Sequence, residues 1–113
     1  MAKRREIKNE VVRGSNNVFA DLGYVDAEER QTKLRLAYAI NQIIEQRGLT
    51  QADAARLLGA GQPKVSALFH YKLEGFSVER LMTFLTALGQ DVEIVIRKKP
   101  RSRPAARISV IAA

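Results

Sequence analysis

The stretch TQADAARLLGAGQPKVSALF, from Thr50 to Phe69, decides the fold, because its small and apolar residues recur where two short crossing helices need them. Such a pair requires a small residue at the crossing, a turn residue that accepts a left-handed conformation, and an apolar residue that pins the second helix from below. Ala55, Gly59 and Val65 supply these at the fifth, ninth and fifteenth places counted from Gln51. Ala54, Leu58 and Leu68 are the remaining buried positions. This spacing is that of a helix-turn-helix whose second helix enters a major groove of DNA. Thr50 caps the first helix of the pair with Asp53 at its third position, Gly59-Ala60-Gly61 makes the turn, and the next helix starts at about Gln62. Pro63 fits its first turn, where its missing amide hydrogen would have had no helical partner.

Outward from this core, Leu36, Ala37, Ile40, Ile43 and Ile44 fall at helical spacing and predict a long amphipathic helix ending at Gly48. Asp26 and Glu29 have capping-box spacing and place the start of that helix at Asp26. Its acidic start and Arg47 near its end both suit the helix dipole. Beyond the linker YKLEG, Ser77 caps a fourth helix with Phe76 stapled on Leu81. Val78, Leu81, Met82, Leu85 and Leu88 form its buried stripe, and Gly89 ends it.

The period then changes from 3.6 to 2 in DVEIVIR, with Val92, Ile94 and Ile96 on one face, which predicts a strand. A lone strand leaves backbone groups unpaired, and RISVIAA at the end of the chain is a second β-prone piece. Pairing of Val92, Ile94 and Ile96 across a two-fold dimer axis is favoured over a hairpin within one chain, because symmetric dimers are the usual oligomer. The expected fold class is mainly α, a bundle of four to five helices with a C-terminal β-strand that pairs across a dimer.

The 113 residues fit one small domain with tails. We expect an N-terminal arm over 1–25, partly docked or disordered, a helix-turn-helix domain with its dimerisation strand over 26–97, and a basic tail over 98–113. Val18, Phe19, Leu22 and Tyr24 crowd apolar surface into the arm and either dock on the domain's own core or bind a partner. The net charge of +7 is unevenly spread. Residues 26–97 balance nine basic against nine acidic side chains, whereas residues 98–113 carry five basic and no acidic ones. The tails either keep the chain soluble or contact phosphates.

No cysteine occurs, which excludes disulfides and thiolate metal sites, and His70 is the single histidine, too few for a histidine metal cluster. No glycine-rich phosphate loop or nucleophile–base constellation is present, so no enzymatic activity and no cofactor are expected. No stretch is long and apolar enough to cross a bilayer and the basic start leads into polar sequence, so a cytoplasmic protein without membrane association is expected.

The candidate site residues follow from the motif. Gln62, Lys64 and Ser66 lie at the exposed start of the reading helix, and each has the donors or acceptors to meet base edges. Thr50, Gln51 and Lys72 are placed for the phosphate backbone. Arg56 reads as a solvated charge.

These residues resemble the lambda-repressor-like regulators of the Xre family. More narrowly, NVFADLGYVDAEERQTK before the motif and VERLMTFLTALGQDVEIVI behind it look like the small HigA-type antitoxins of bacterial toxin–antitoxin pairs, over about residues 16–97. The resemblance implies a dimeric repressor of its own operon that also neutralises a partner toxin, with double-stranded DNA, a second copy and a toxin protein as partners. It matches Gln62, Lys64 and Ser66 to the family's reading positions and Gln51 to its phosphate-contacting glutamine. Pro63 departs from that pattern, occupying a place where a polar base-reading residue is frequent, which shifts part of the recognition to groove shape and tail charge. An alternative of a different class is an interaction module that mainly masks a toxin.

Overall fold

Helix starts and stops are set by a few side chains, and the architecture follows from them. The computed structural model of the chain describes residues 21–112, with side chains from Ala27 onward. Four helices follow in order: α1 Asp21–Gln46, α2 Gln51–Leu58, α3 Gln62–Phe69 and α4 Val78–Ala87. The chain divides into two units, residues 1–31 and 32–113, and the division falls inside α1. The first unit is helical throughout its described residues. Among the described residues no helix is long and apolar enough to cross a membrane.

The start of α1 corrects the sequence reading. Asp26 is the sixth residue of the helix, so it cannot be the N-cap that its spacing to Glu29 suggests. Gly23 looks like a boundary, but one glycine inside a helix costs only about 1 kcal/mol. The upstream turn, carrying helix-compatible Leu22, continues through it, so the helix takes up residues 21–25 of the expected arm. Val18 and Phe19 lie outside the described residues, and Leu22 and Tyr24 fall where only backbone is described.

The helix ends agree with their residues. Gly48 and Gly89 adopt φ of 64° and 81° after α1 and α4. Ser77 accepts from the Arg80 amide at 3.0 Å to start α4. Arg47 lies one residue past α1, and its guanidinium donates to the carbonyl of Leu88, at the C-terminal end of α4. A cation there complements the partial negative charge of a helix C-terminus, on a different helix from the one the sequence suggests.

The second unit has one core. Leu36, Ala37, Ile40 and Ile44 from α1 meet Ala54 and Leu58, Val65 and Leu68, and Leu81, Phe84, Leu85 and Leu88. Ile43, Val78 and Met82, expected in the stripes, are only partly buried against it. Phe84, which lies outside the expected stripe, is fully buried, and its ring meets Phe76 edge-on with centroids 6.0 Å apart. At the motif itself Ala54 is wholly buried and Ala55 half-buried, so the small residue at the crossing is a pair of alanines.

Beyond Gly89 no strand forms among the described residues. Residues 91–112 have one mutual backbone bond, from the Arg103 amide to the Pro100 carbonyl at 3.2 Å, so DVEIVIR and RISVIAA form no hairpin ladder. Val92 and Val110 pack against the core, while Ile94, Ile96, Ile108 and Ile111 stay exposed. A strand is defined by its partner, and the described residues supply DVEIVIR with none.

Candidate nucleic-acid interface

The helix-turn-helix is built by backbone caps. The Thr50 hydroxyl accepts from the Asp53 amide at 3.1 Å and the Asp53 carboxylate accepts from the Thr50 amide at 3.2 Å, a reciprocal box that fixes the first turn of α2. The Thr50 backbone amide, then the Thr50 hydroxyl, then Arg56 hold the Asp53 carboxyl below its usual range. Arg56 is a solvated charge, its side chain 73% exposed, that also pairs with Asp53 across one helical turn.

Gly59 follows α2 with φ 65° and ψ 35°, and its amide bonds back to the Ala55 carbonyl. An added Cβ would meet nothing within 4 Å, so this position needs glycine for its backbone angle and not for space. The Ala60 amide also returns to the Ala55 carbonyl, at 3.1 Å, which closes the end of α2 and aims the chain into Gly61. Gly61, in extended conformation, stands as N-cap of α3 without a side-chain bond, and Pro63 occupies the first turn. Val65 and Leu68, 1% and 0% exposed, pin α3 onto the core and leave its opposite side outward.

That outward side carries Gln62, Pro63 and Lys64, all exposed at the N-terminal end of α3, with Ser66 half-buried behind them. Thr50 is exposed and Gln51 half-buried at the start of α2, and Lys72 is exposed just beyond α3. The fold therefore places the three backbone candidates at two helix ends and leaves two of the three base-edge candidates exposed.

Lys64 is less free than its sequence position suggests. Its Nζ donates to the carbonyl of Gly75 at 2.7 Å and lies 4.6 Å from the centroid of the Phe76 ring. A Cβ on Gly75 would stand 3.1 Å from that nitrogen, a tight contact that the flexible end of the lysine relieves by moving a few tenths of an ångström. The ammonium has three hydrogens, and one such bond leaves donors for another acceptor.

Three further features of the interface were not legible from residue types. Asn41 on α1 donates from Nδ2 to the Leu68 carbonyl at 3.1 Å and so ties the end of α3 to α1. His70 sets its Nδ1 2.8 Å from the Ser66 carbonyl, which fixes the ring against the last turn of α3. Tyr71 ends α3 with φ 59°, a left-handed conformation that a tyrosine rarely adopts, held by the Lys72 amide bonding to the Ala67 carbonyl at 2.9 Å. Glycine or asparagine signals such an end, and YKL carries neither. Among the described residues no three His, Cys, Asp or Glu side chains stand together in a way that could hold a metal ion.

The same architecture occurs elsewhere. A family described as a helix-turn-helix domain matches residues 18–97 of this chain. A solved structure named as an XRE family transcriptional regulator is 77% identical, covers 78% of this chain and 99% of its own, and superposes with a TM-score of 0.76. Among curated proteins none matches. With its paired short helices, left-handed Gly59 turn and outward N-terminal face of α3, the chain belongs to the Xre-like helix-turn-helix family of DNA-binding transcription regulators.

Proposed function

We propose that this protein is a sequence-specific repressor that binds near-palindromic DNA as a homodimer, with the two α3 helices in successive major grooves about 34 Å apart. The observation that carries this reading is the exposure of Gln62 and Lys64 at the start of a helix pinned from behind by Val65 and Leu68. Gln62 pairs with adenine, Lys64 donates to guanine acceptors, and Ser66 adds a donor or acceptor. Thr50, Gln51 and Lys72 hold phosphates, and the five basic side chains of residues 98–113 add to the sequence-independent attraction. Pro63 keeps direct readout sparse, so groove shape shares in recognition.

Within this reading the chain is a HigA-type antitoxin that represses its own operon and masks a toxin encoded beside it. Val18, Phe19, Leu22 and Tyr24 are the partner-binding patch, and Val92, Ile94 and Ile96 carry dimerisation in the cytoplasm. The alternative is a module that mainly neutralises the toxin. Exposure of Ile94 and Ile96 in the single chain supports an assembly role for that segment in either case.

One experiment addresses both. A salt-resolved titration against the DNA upstream of the gene, run with and without the neighbouring gene product, is expected to show tight binding that the product changes. The double variant Q62A/K64A should lose affinity for that DNA far more than for random duplex, and equal losses on both would overturn base readout by these side chains. Co-purification of the neighbouring product is expected for the antitoxin role. If deletions of residues 1–25 and of residues 94–113 both leave that complex intact, the proposed contact surfaces are wrong.

A further inference from the structure

From Asp91 to Lys99 the chain reads DVEIVIRKK, acidic before Val95 and basic after it. We infer that two copies pair antiparallel along this segment with the two-fold axis at Val95. This rests on the dimer reading above and specifies its register. In that register Val95 faces Val95 of the second copy, Ile94 faces Ile96, Glu93 faces Arg97, Asp91 faces Lys99 and, at the margin, Val92 faces Lys98, and each unlike pair occurs twice. Antiparallel pairing about a residue keeps odd positions opposite odd ones and even opposite even, so both charge pairs share one face with Val95, and Val92, Ile94 and Ile96 share the other. An axis at Ile94 would set Glu93 against Val95, and an axis at Ile96 would set Val95 against Arg97 and Ile94 against Lys98. The axis at Ile96 would also set Glu93 against Lys99 and Asp91 against Arg101, but only the axis at Val95 pairs both acids with bases while keeping Ile94, Val95 and Ile96 opposite apolar side chains.

The segment is free to do this. Its backbone makes no bonds to the rest of the described chain, and Ile94, Val95 and Ile96 are 75%, 62% and 94% exposed. An extended strand with unpaired amides and carbonyls is a template for another strand, and a self-complementary one selects its own copy. The even face has a place to go: Val92 and Ile94 border an open groove with Glu79, Met82, Thr83 and Thr86 of α4. In this register Ile96 of the second copy lies beside Ile94 over that groove, covering the most exposed apolar side chain of the segment. The partner is therefore a second copy of this chain, recognised by charge pattern as well as apolar area.

The chain has no cysteine, so one introduced thiol is unique. In the full-length protein, V95C is expected to form a covalent dimer on mild oxidation, because opposed residues in antiparallel strands have Cα atoms about 4.5–5.5 Å apart, within disulfide range. I94C alone should cross-link poorly, while a mixture of I94C and I96C chains should cross-link well. E93R and R97E singly should each weaken self-association about tenfold by setting like charges opposite each other twice, and E93R/R97E together should restore it. A monomer at every concentration in sedimentation would overturn the dimer reading itself. A dimer in which I94C cross-links ahead of V95C, or in which the double reversal restores nothing, would overturn the register and leave the dimer standing.

Discussion

The ammonium of Lys64 on α3 is bonded to the carbonyl of Gly75, 2.7 Å away in the loop leading to α4, and sits against the Phe76 ring. One side chain of the outward face thus also fastens the loop behind it. Replacing Lys64 by alanine removes an exposed cation–π contact and a charge-assisted bond, an expected stability loss of about 0.5–1.5 kcal/mol in urea denaturation. Phe76→Leu keeps the charge but removes the ring. It should loosen the loop while leaving the salt dependence of DNA binding unchanged, whereas K64A should lower that slope by about one if the ammonium also meets a phosphate.

Gly59 isolates the cost of the turn. With φ 65° and open space around its missing Cβ, substitution meets backbone strain and no clash. Gly59→Ala should therefore destabilise the chain by about 1–2 kcal/mol, and Gly59→Asn by clearly less, because asparagine tolerates the left-handed region. Equal losses for the two variants in thermal melts would mean that something other than the backbone angle is at stake.

The cap of α2 links stability to pH. Asp53 is held below its ordinary value of 3.8 mainly by the Thr50 amide and hydroxyl. A carboxylate depressed in the folded state contributes stability that is fully present above the unfolded value and is lost as pH falls through the lower folded value. The stability difference between the native chain and Asp53→Asn is expected to be constant from pH 5 to pH 7 and to shrink as the pH is lowered below about 4. Thr50→Ala, which removes the hydroxyl half of the box, should cost about 1 kcal/mol at neutral pH.

How much of this was written in residue types depends on whether a signal was local. The Thr50–Asp53 box, the Gly59 turn, Val65 beneath α3 and Ser77 before α4 each depend on a few neighbouring residues and were read directly. Asp26 misled because a capping pair has the same spacing inside a helix as at its start, and nothing nearby forbids the helix from reaching back to Asp21. The strand over DVEIVIR was a statement about a partner, and period-2 patterning records which side chains would share a face without supplying the second strand. At the interface, exposure of Gln62 and Lys64 followed from the motif, but the seat of the Lys64 ammonium on Gly75 spans eleven residues and has no sequence signature. The same holds for Arg47 reaching Leu88 and for the left-handed Tyr71.

Asn41 is the last of these long-range ties and gives the sharpest test of how α3 is held. Its Nδ2 donates to the Leu68 carbonyl at 3.1 Å, while its Oδ1 is buried without a hydrogen-bond partner among the described residues. Asn41→Ala removes one bond and one unsatisfied acceptor together, and since the Leu68 carbonyl keeps the Tyr71 amide at 3.1 Å, the net loss should be small, about 1 kcal/mol. Asn41→Asp replaces the donor by a carboxylate facing that carbonyl, with no cation bonded to it, and should cost roughly 2–3 kcal/mol at neutral pH. Its carboxyl should titrate above the ordinary aspartate range, because the protonated form regains a donor for Leu68. A group raised in the folded state destabilises less as pH falls, so Asn41→Asp should recover toward the native chain between pH 7 and pH 5. A deficit that stayed constant over this interval would show that the bond to Leu68 does not hold α3 in place.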